Sequence, residues 1–151
     1  LLAESIVGFW NRYYYYFKEL LVHFFFIPTF VSRFKRHPRL RLFAAVFASA
    51  CVGNVYYHLI QHESLLNQDW VALGEMLVPR ASYCVLLAAG IYVSMLREQR
   101  RSVARADRPW PRRAIAIFGV WTFYGLLQLF HDGRATLRTR LDHLLALAGM
   151  T

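Results

Sequence analysis

A chain of 151 residues has the length of one ordinary domain, yet 57% of it is apolar and 17% aromatic, while only 18% is charged. Globular chains usually hold about 45–50% apolar residues with glycine counted in, and about 25% charged ones, so the composition excludes a disordered or nucleic-acid-binding tail, which would be poor in aromatics and rich in charge. Eighteen Lys and Arg against nine Asp and Glu leave a net charge of +9, and a chain that is both basic and oily points to a membrane, where positive loops face the cytoplasm and anionic headgroups.

In chain order, the start LLAESIVG has neither the basic region nor the cleavage site of a secretory signal, and it opens on Leu rather than Met. The expectation is a piece of a longer membrane protein, its C-terminal half. Residues 9–30, FWNRYYYYFKELLVHFFFIPTF, are aromatic and apolar but are interrupted by Lys18, Glu19 and His23, and Pro28 is expected to end the run. The eight apolar-dominated residues from Leu20 to Ile27 cover about 12 Å of helix, too little to cross a bilayer core of about 30 Å. A re-entrant or interfacial helix is expected, with Trp10 and the tyrosines at headgroup depth.

Three charge-free stretches follow. Leu42 to Gln61 gives twenty such residues, Ala81 to Leu96 sixteen, and Ala114 to Phe130 seventeen; a span needs roughly 17–25. The second stretch lengthens if Arg80 snorkels. Twelve of the eighteen Lys and Arg fall in residues 31–41 and 97–113, against only Arg80 in residues 62–80. The first two loops are therefore expected in the cytoplasm and the third outside. Leu137, Leu141, Leu144 and Leu145 recur at helical spacing opposite Arg138, Arg140 and Asp142, so 134–149 is expected to be an amphipathic helix. The expected fold class is all-α: about three transmembrane spans with re-entrant or interfacial helices.

An ionisable side chain inside a span is costly and marks function by default. His58 is the one such group in the first span, about 24 Å along the helix from Leu42, and Asn54 precedes it by one turn on the same face. A neutral imidazole there would take a proton from a hydroxyl; the alternative is an interfacial histidine hydrogen-bonded to a neighbouring helix. His62 stands four residues on, a spacing that can put two ligands on one metal, but no third ligand is set by sequence and no metal site is expected. His23, His37, His131 and His143 lie beside charged or aromatic residues at interfaces. Cys51 and Cys84 sit in apolar runs as buried small hydrophobes. No GxSxG, P-loop or GxGxxG occurs. Trp110 lies among arginines, yet their position between spans favours lipid headgroups or an anionic thioester carrier over nucleic acid.

FWNR at 9–12, the aromatic run, Ile27-Pro28, a basic turn, and a span carrying G-N-V-Y-Y-H at 53–58 resemble the membrane-bound O-acyltransferase family, in its bacterial cell-envelope branch. There a pattern like F-W-x-R-W-H-I-S leads to I-P, and a later helix carries G-x-W-H-G with the family histidine; GVWTFYGLLQLFHD at 119–132 is similar to the apolar helix that follows. The likeness covers most of this chain. It departs at several points: Tyr14 falls on the family's first polar position, Asn11 after Trp10 offers the alternative, and Tyr57 and Leu59 flank the histidine where Trp and Gly are usual.

The resemblance implies acyl transfer from a thioester, acyl-CoA or an acylated carrier protein, to a hydroxyl of an envelope polysaccharide, lipid or other acceptor in the bacterial inner membrane. No bound cofactor is expected. His58 would be the general base, with Asn54, Asn11 or Tyr14 orienting groups or stabilising the oxyanion. Arg33, Lys35, Arg36, Arg39 and Arg41 would attract the donor's phosphates, or serve only to set topology. The other functional classes are a non-catalytic membrane subunit or scaffold of an envelope-modification system, working with protein partners, and part of a transporter.

Overall fold

The computed structural model describes residues 2–61, 70–100, 109–128 and 145–146. Among these every element is helical and no strand forms. The segment 134–149 falls almost wholly outside the described residues, as do His62, His131 and His143.

Helix α1, Ile6–Tyr13, is capped by Ser5, whose side chain accepts from the Gly8 N–H at 3.1 Å. It ends at Tyr14, where φ −107° and ψ 40° depart from helical geometry. Helix α2, Tyr15–Leu21, then runs through a π-helical turn, Val22–Phe26, into α3, Ile27–Ser32. Pro28 therefore starts a helix instead of ending the run. The i→i−5 bond from the Ile27 N–H to the Val22 carbonyl rearranges the ladder just before the proline, whose missing N–H costs little in a first helical turn.

A turn at 33–37, with Phe34 in the left-handed region at φ 51°, leads to α4, Pro38–Phe47, a second π-helical turn, Ala48–Gly53, and α5, Asn54–Gln61. Together these make one rod of 24 residues that includes the first expected span. Helix α6, Trp70–Arg100, is 31 residues long. It begins well before the expected sixteen-residue stretch, so residues 70–80 are helix where a loop was expected. Pro79 lies inside it without ending it. Helix α7 is Trp110–Leu127.

Two helical stretches among the described residues, Pro38–Gln61 and Leu77–Arg100, are long and apolar enough to cross a membrane, and each has only 33% of its apolar window buried. The core helix of a soluble domain would be mostly covered. Helix α7 carries Arg112 and Arg113 in its first turn and falls outside that pair. Its outer face nonetheless leaves Ile115, Phe118, Trp121 and Leu126 exposed.

The rod 38–61 and α6 run antiparallel. Phe43 stacks edge-on with Tyr92 at 5.3 Å, and deeper along both helices Cys51 lies opposite Cys84; both thiols are free and buried. The N-terminal segment packs against this pair in a distinctive path. The Val7 N–H donates to Ser94 Oγ at 3.3 Å, two residues from Tyr92, whose hydroxyl donates to the Arg39 carbonyl. From that level the chain descends until Tyr14 hydrogen-bonds Tyr83, which precedes Ser94 by eleven residues, or about 16 Å of helix. It then turns and climbs back along the rod. Phe17 meets Tyr57 at 4.6 Å, Leu21 and Phe25 press on Gly53, and Phe30 lies beneath Arg41. Both ends of 5–32 thus lie at one end of the helix pair, and the apex between Tyr14 and Phe17 lies toward the other.

Candidate functional site

Each core-facing stripe changes character at the same depth. In the rod, Leu42, Ala45, Val46, Ala50 and Gly53 are buried, and the stripe continues into Asn54, 4% exposed, and half-buried His58. In α6 the buried stripe Ile91, Leu87, Cys84 ends on Tyr83 and then on half-buried Arg80. From α1, Val7 and Trp10 lead to Tyr14. A mainly apolar core, in which buried Ser49 and Ser94 are hydrogen-bonded, therefore gives way to a layer of hydroxyl, amide, imidazole and guanidinium groups at the apex of the N-terminal hairpin.

Aromatic packing joins the layer's members. Trp10 stacks on Tyr14 at 4.8 Å and meets Phe17 at 6.3 Å; Phe17 meets Tyr57, and the Tyr57 and His58 rings lie 6.0 Å apart. Tyr14 and His58 are thus linked through rings rather than by a direct bond. His58 has a further interaction of its own. Burial pushes the Tyr14 phenol above its ordinary value, neighbouring Tyr13 adds to this, and the hydrogen bond with Tyr83 works against it. Tyr14 is accordingly a neutral hydroxyl at physiological pH, fit to donate or accept a hydrogen bond and unfit as a base.

Of the residues singled out in the sequence, Tyr14, Asn54 and His58 share this region. Asn11 does not: Trp10 faces the core, so the next residue, about 100° around the helix, is turned outward and exposed. Arg33, Lys35, Arg36 and Arg39 are exposed on and just after the 33–37 turn. Arg41 instead folds over the Phe30 ring, its guanidinium 4.0 Å from the centroid, with Nε buried and unpartnered. Sequence reasoning passed over Tyr83 and counted Arg80 in the outer loop 62–80, snorkelling only if the second span extended past it. The signal that places both inward was the stripe Arg80, Tyr83, Cys84, Leu87, Ile91 at helical spacing.

A cavity of about 620 Å³ opens elsewhere, between α1, α6 and α7 at the basic end. Ser5, Arg97 and Glu98 line its polar mouth, and Gly90, Val120 and Phe123 its apolar wall. Ser5 Oγ donates to Glu98 there, and Arg113 pairs with Glu4 at 2.7 Å. None of the residues singled out in the sequence lines it. Among the described residues no three His, Cys, Asp or Glu side chains gather as a metal set. In comparisons with known proteins, the chain matches no family model, no curated protein and no solved structure.

Proposed function

We propose that this chain is part of a membrane-embedded acyltransferase, of the kind its motifs resemble, that moves an acyl group from a thioester to a hydroxyl acceptor. The observation that carries the reading is the ionisable His58, one turn beyond buried Asn54, at the polar end of an otherwise apolar helix pair whose outer surface is mostly uncovered. His58 lies twenty residues from the start of its rod at Pro38, about 30 Å of helix, which is the thickness of a bilayer core. The basic turn 33–37 belongs to the opposite end. A thioester made in the cytoplasm and an acceptor beyond the membrane would meet within such a body. The hairpin 5–32 then enters from the basic side and returns to it, as a re-entrant segment, and α7 is a third lipid-facing span.

In the proposed reaction the acceptor hydroxyl loses its proton to His58 as its oxygen attacks the thioester carbonyl. Asn54 and the Tyr14 hydroxyl orient the reacting groups or steady the developing oxyanion. Collapse of the tetrahedral intermediate breaks the carbon–sulfur bond, and the departing thiolate regains the proton as a free thiol. The exposed cations of the basic turn attract the phosphates of acyl-CoA or an acylated carrier protein. The setting proposed is the bacterial inner membrane. Labelled acyl thioester offered with envelope acceptors to the full-length protein tests this: transfer should fall by at least 100-fold in His58→Ala, and equal turnover by the two would remove His58 from the reaction.

A second reading is favoured by one feature, the separation of the 620 Å³ cavity from His58. In that reading the chain is a non-catalytic membrane subunit holding partner proteins of an envelope-modification system. Retention of the partners by His58→Ala, with no transfer by the wild type, would favour it.

A further inference from the structure

Arg80 occupies a position that its neighbours reserve for core side chains. Tyr83, Cys84, Leu87 and Ile91, at i+3, i+4, i+7 and i+11 from it, are all buried. Its Nη1 is shut off from solvent and has no hydrogen-bond partner, and no ion pair joins Arg80 to a described residue. The other buried, unpartnered guanidinium nitrogen among the described residues, on Arg41, belongs to a group stacked on Phe30; Arg80 has no cation–π partner among those residues. Leaving one guanidinium donor dry and unpaired is unfavourable. The register of the helix pair fixes what faces it. Phe43 opposes Tyr92 and Cys51 opposes Cys84, so the next step brings Arg80 level with Val55, between Asn54 and His58.

We infer that Arg80 is an oxyanion-binding residue in the polar layer, and that the acceptor whose hydroxyl meets His58 carries a carboxylate or phosphate that Arg80 binds. The inference rests on the acyltransfer reading for the acceptor's role, but anion binding itself does not. The guanidinium fork is suited to either oxyanion, giving paired, charge-assisted hydrogen bonds. Tyr83, one turn along α6 from Arg80, carries a hydroxyl already committed to Tyr14, which leaves the arginine as the anion's principal anchor on α6. Binding there fixes the acceptor beside His58 by a charge remote from the reacting hydroxyl.

The test titrates the full-length protein in detergent with inorganic phosphate, glucuronate and, as the neutral comparison, glucose, and reads thermal unfolding. Phosphate or glucuronate should raise the unfolding temperature of the wild type saturably, and glucose should not; the arm that responds more strongly identifies phosphate or carboxylate as the preferred group. His58→Ala should keep the response. Arg80→Gln should abolish it while remaining at least as stable as the wild type without anion, since an unpaired buried charge has been removed. An equal response in Arg80→Gln, or no response in the wild type, would overturn the inference. So would an Arg80→Gln protein that is markedly destabilised without anion, because Arg80 would then be a structural cation. Failure of acyl transfer with the anion response intact would sink the enzymatic reading and leave the binding site standing. Transfer to neutral and anionic acceptors alike, unaffected by Arg80→Gln, would do the reverse.

Discussion

Tyr14 stands where the chain reverses, and its hydroxyl is the polar atom that the N-terminal hairpin contributes through the bond to Tyr83. Removing it in Tyr14→Phe leaves the ring packing on Trp10 and takes away one part-buried hydrogen bond, so unfolding free energy should fall by about 0.5–1.5 kcal/mol. If Tyr14 positions the acceptor, transfer should fall further than this loss of folded protein explains. Because burial raises its folded-state value, the phenol holds its proton longer in the folded than in the unfolded chain. Its contribution is therefore complete below the ordinary tyrosine value of about 10 and declines as pH rises beyond that. Unfolding midpoints of wild type and Tyr14→Phe should converge through that alkaline window, and a gap that widens there would contradict the assignment. Asn11, turned outward, should tolerate Ala with little change in stability or activity; a large loss of transfer would return it to the site.

The elements meet at two close crossings that glycine permits. A Cβ on Gly53 would lie 2.8 Å from both Leu21 and Phe25, and one on Gly90 would run into the Phe123 ring, whereas nothing lies within 4 Å at Gly125. Gly53→Ala and Gly90→Ala should each lose about 1–3 kcal/mol through overpacking, and Gly125→Ala should be neutral or slightly stabilising, as measured by unfolding in detergent. The turn at 33–37 carries the opposite kind of feature. Phe34 pays for a left-handed backbone at φ 51°, about 1–2 kcal/mol for a residue with a Cβ, so Phe34→Gly should raise stability unless its exposed ring is seated in headgroups. Much of this was legible beforehand: charge-free runs mark the helices around Leu42–Gln61 and Ala114–Phe130, and the aromatic run marks the hairpin. What escaped was continuity. Pro28 was expected to end its run but is absorbed in a first helical turn after a π-helical bend, and residues 70–80, expected as loop, belong to the long rod despite Pro79; tertiary context overrides local propensity in such places. The place of His58 one turn beyond Asn54 was legible by counting residues along one helix. The inward positions of Arg80 and Tyr83 at that level were not, since they depend on the register between helices.

At the scale of the whole molecule, most exposed cations among the described residues gather on and beside the 33–37 turn and at the ends of α6 and α7, Arg12 near the hairpin's apex being an exception; an apolar girdle follows, and the polar layer around Asn54, His58 and Arg80 lies toward the other end. This arrangement predicts sidedness. With the native thiols buried, single cysteines at Glu4 and Lys35 should both react with an impermeant reagent from the basic side only; opposite-side labelling would make 5–32 a span and not a re-entrant hairpin. The most direct test is sidedness of the reaction itself in oriented proteoliposomes of the full-length protein. Labelled acyl thioester supplied on the side of the 33–37 turn, with acceptor on the His58 side, should yield labelled acceptor, and that yield should vanish in His58→Ala. Equal labelling with the two substrates exchanged across the membrane, or undiminished labelling in His58→Ala, would contradict the account.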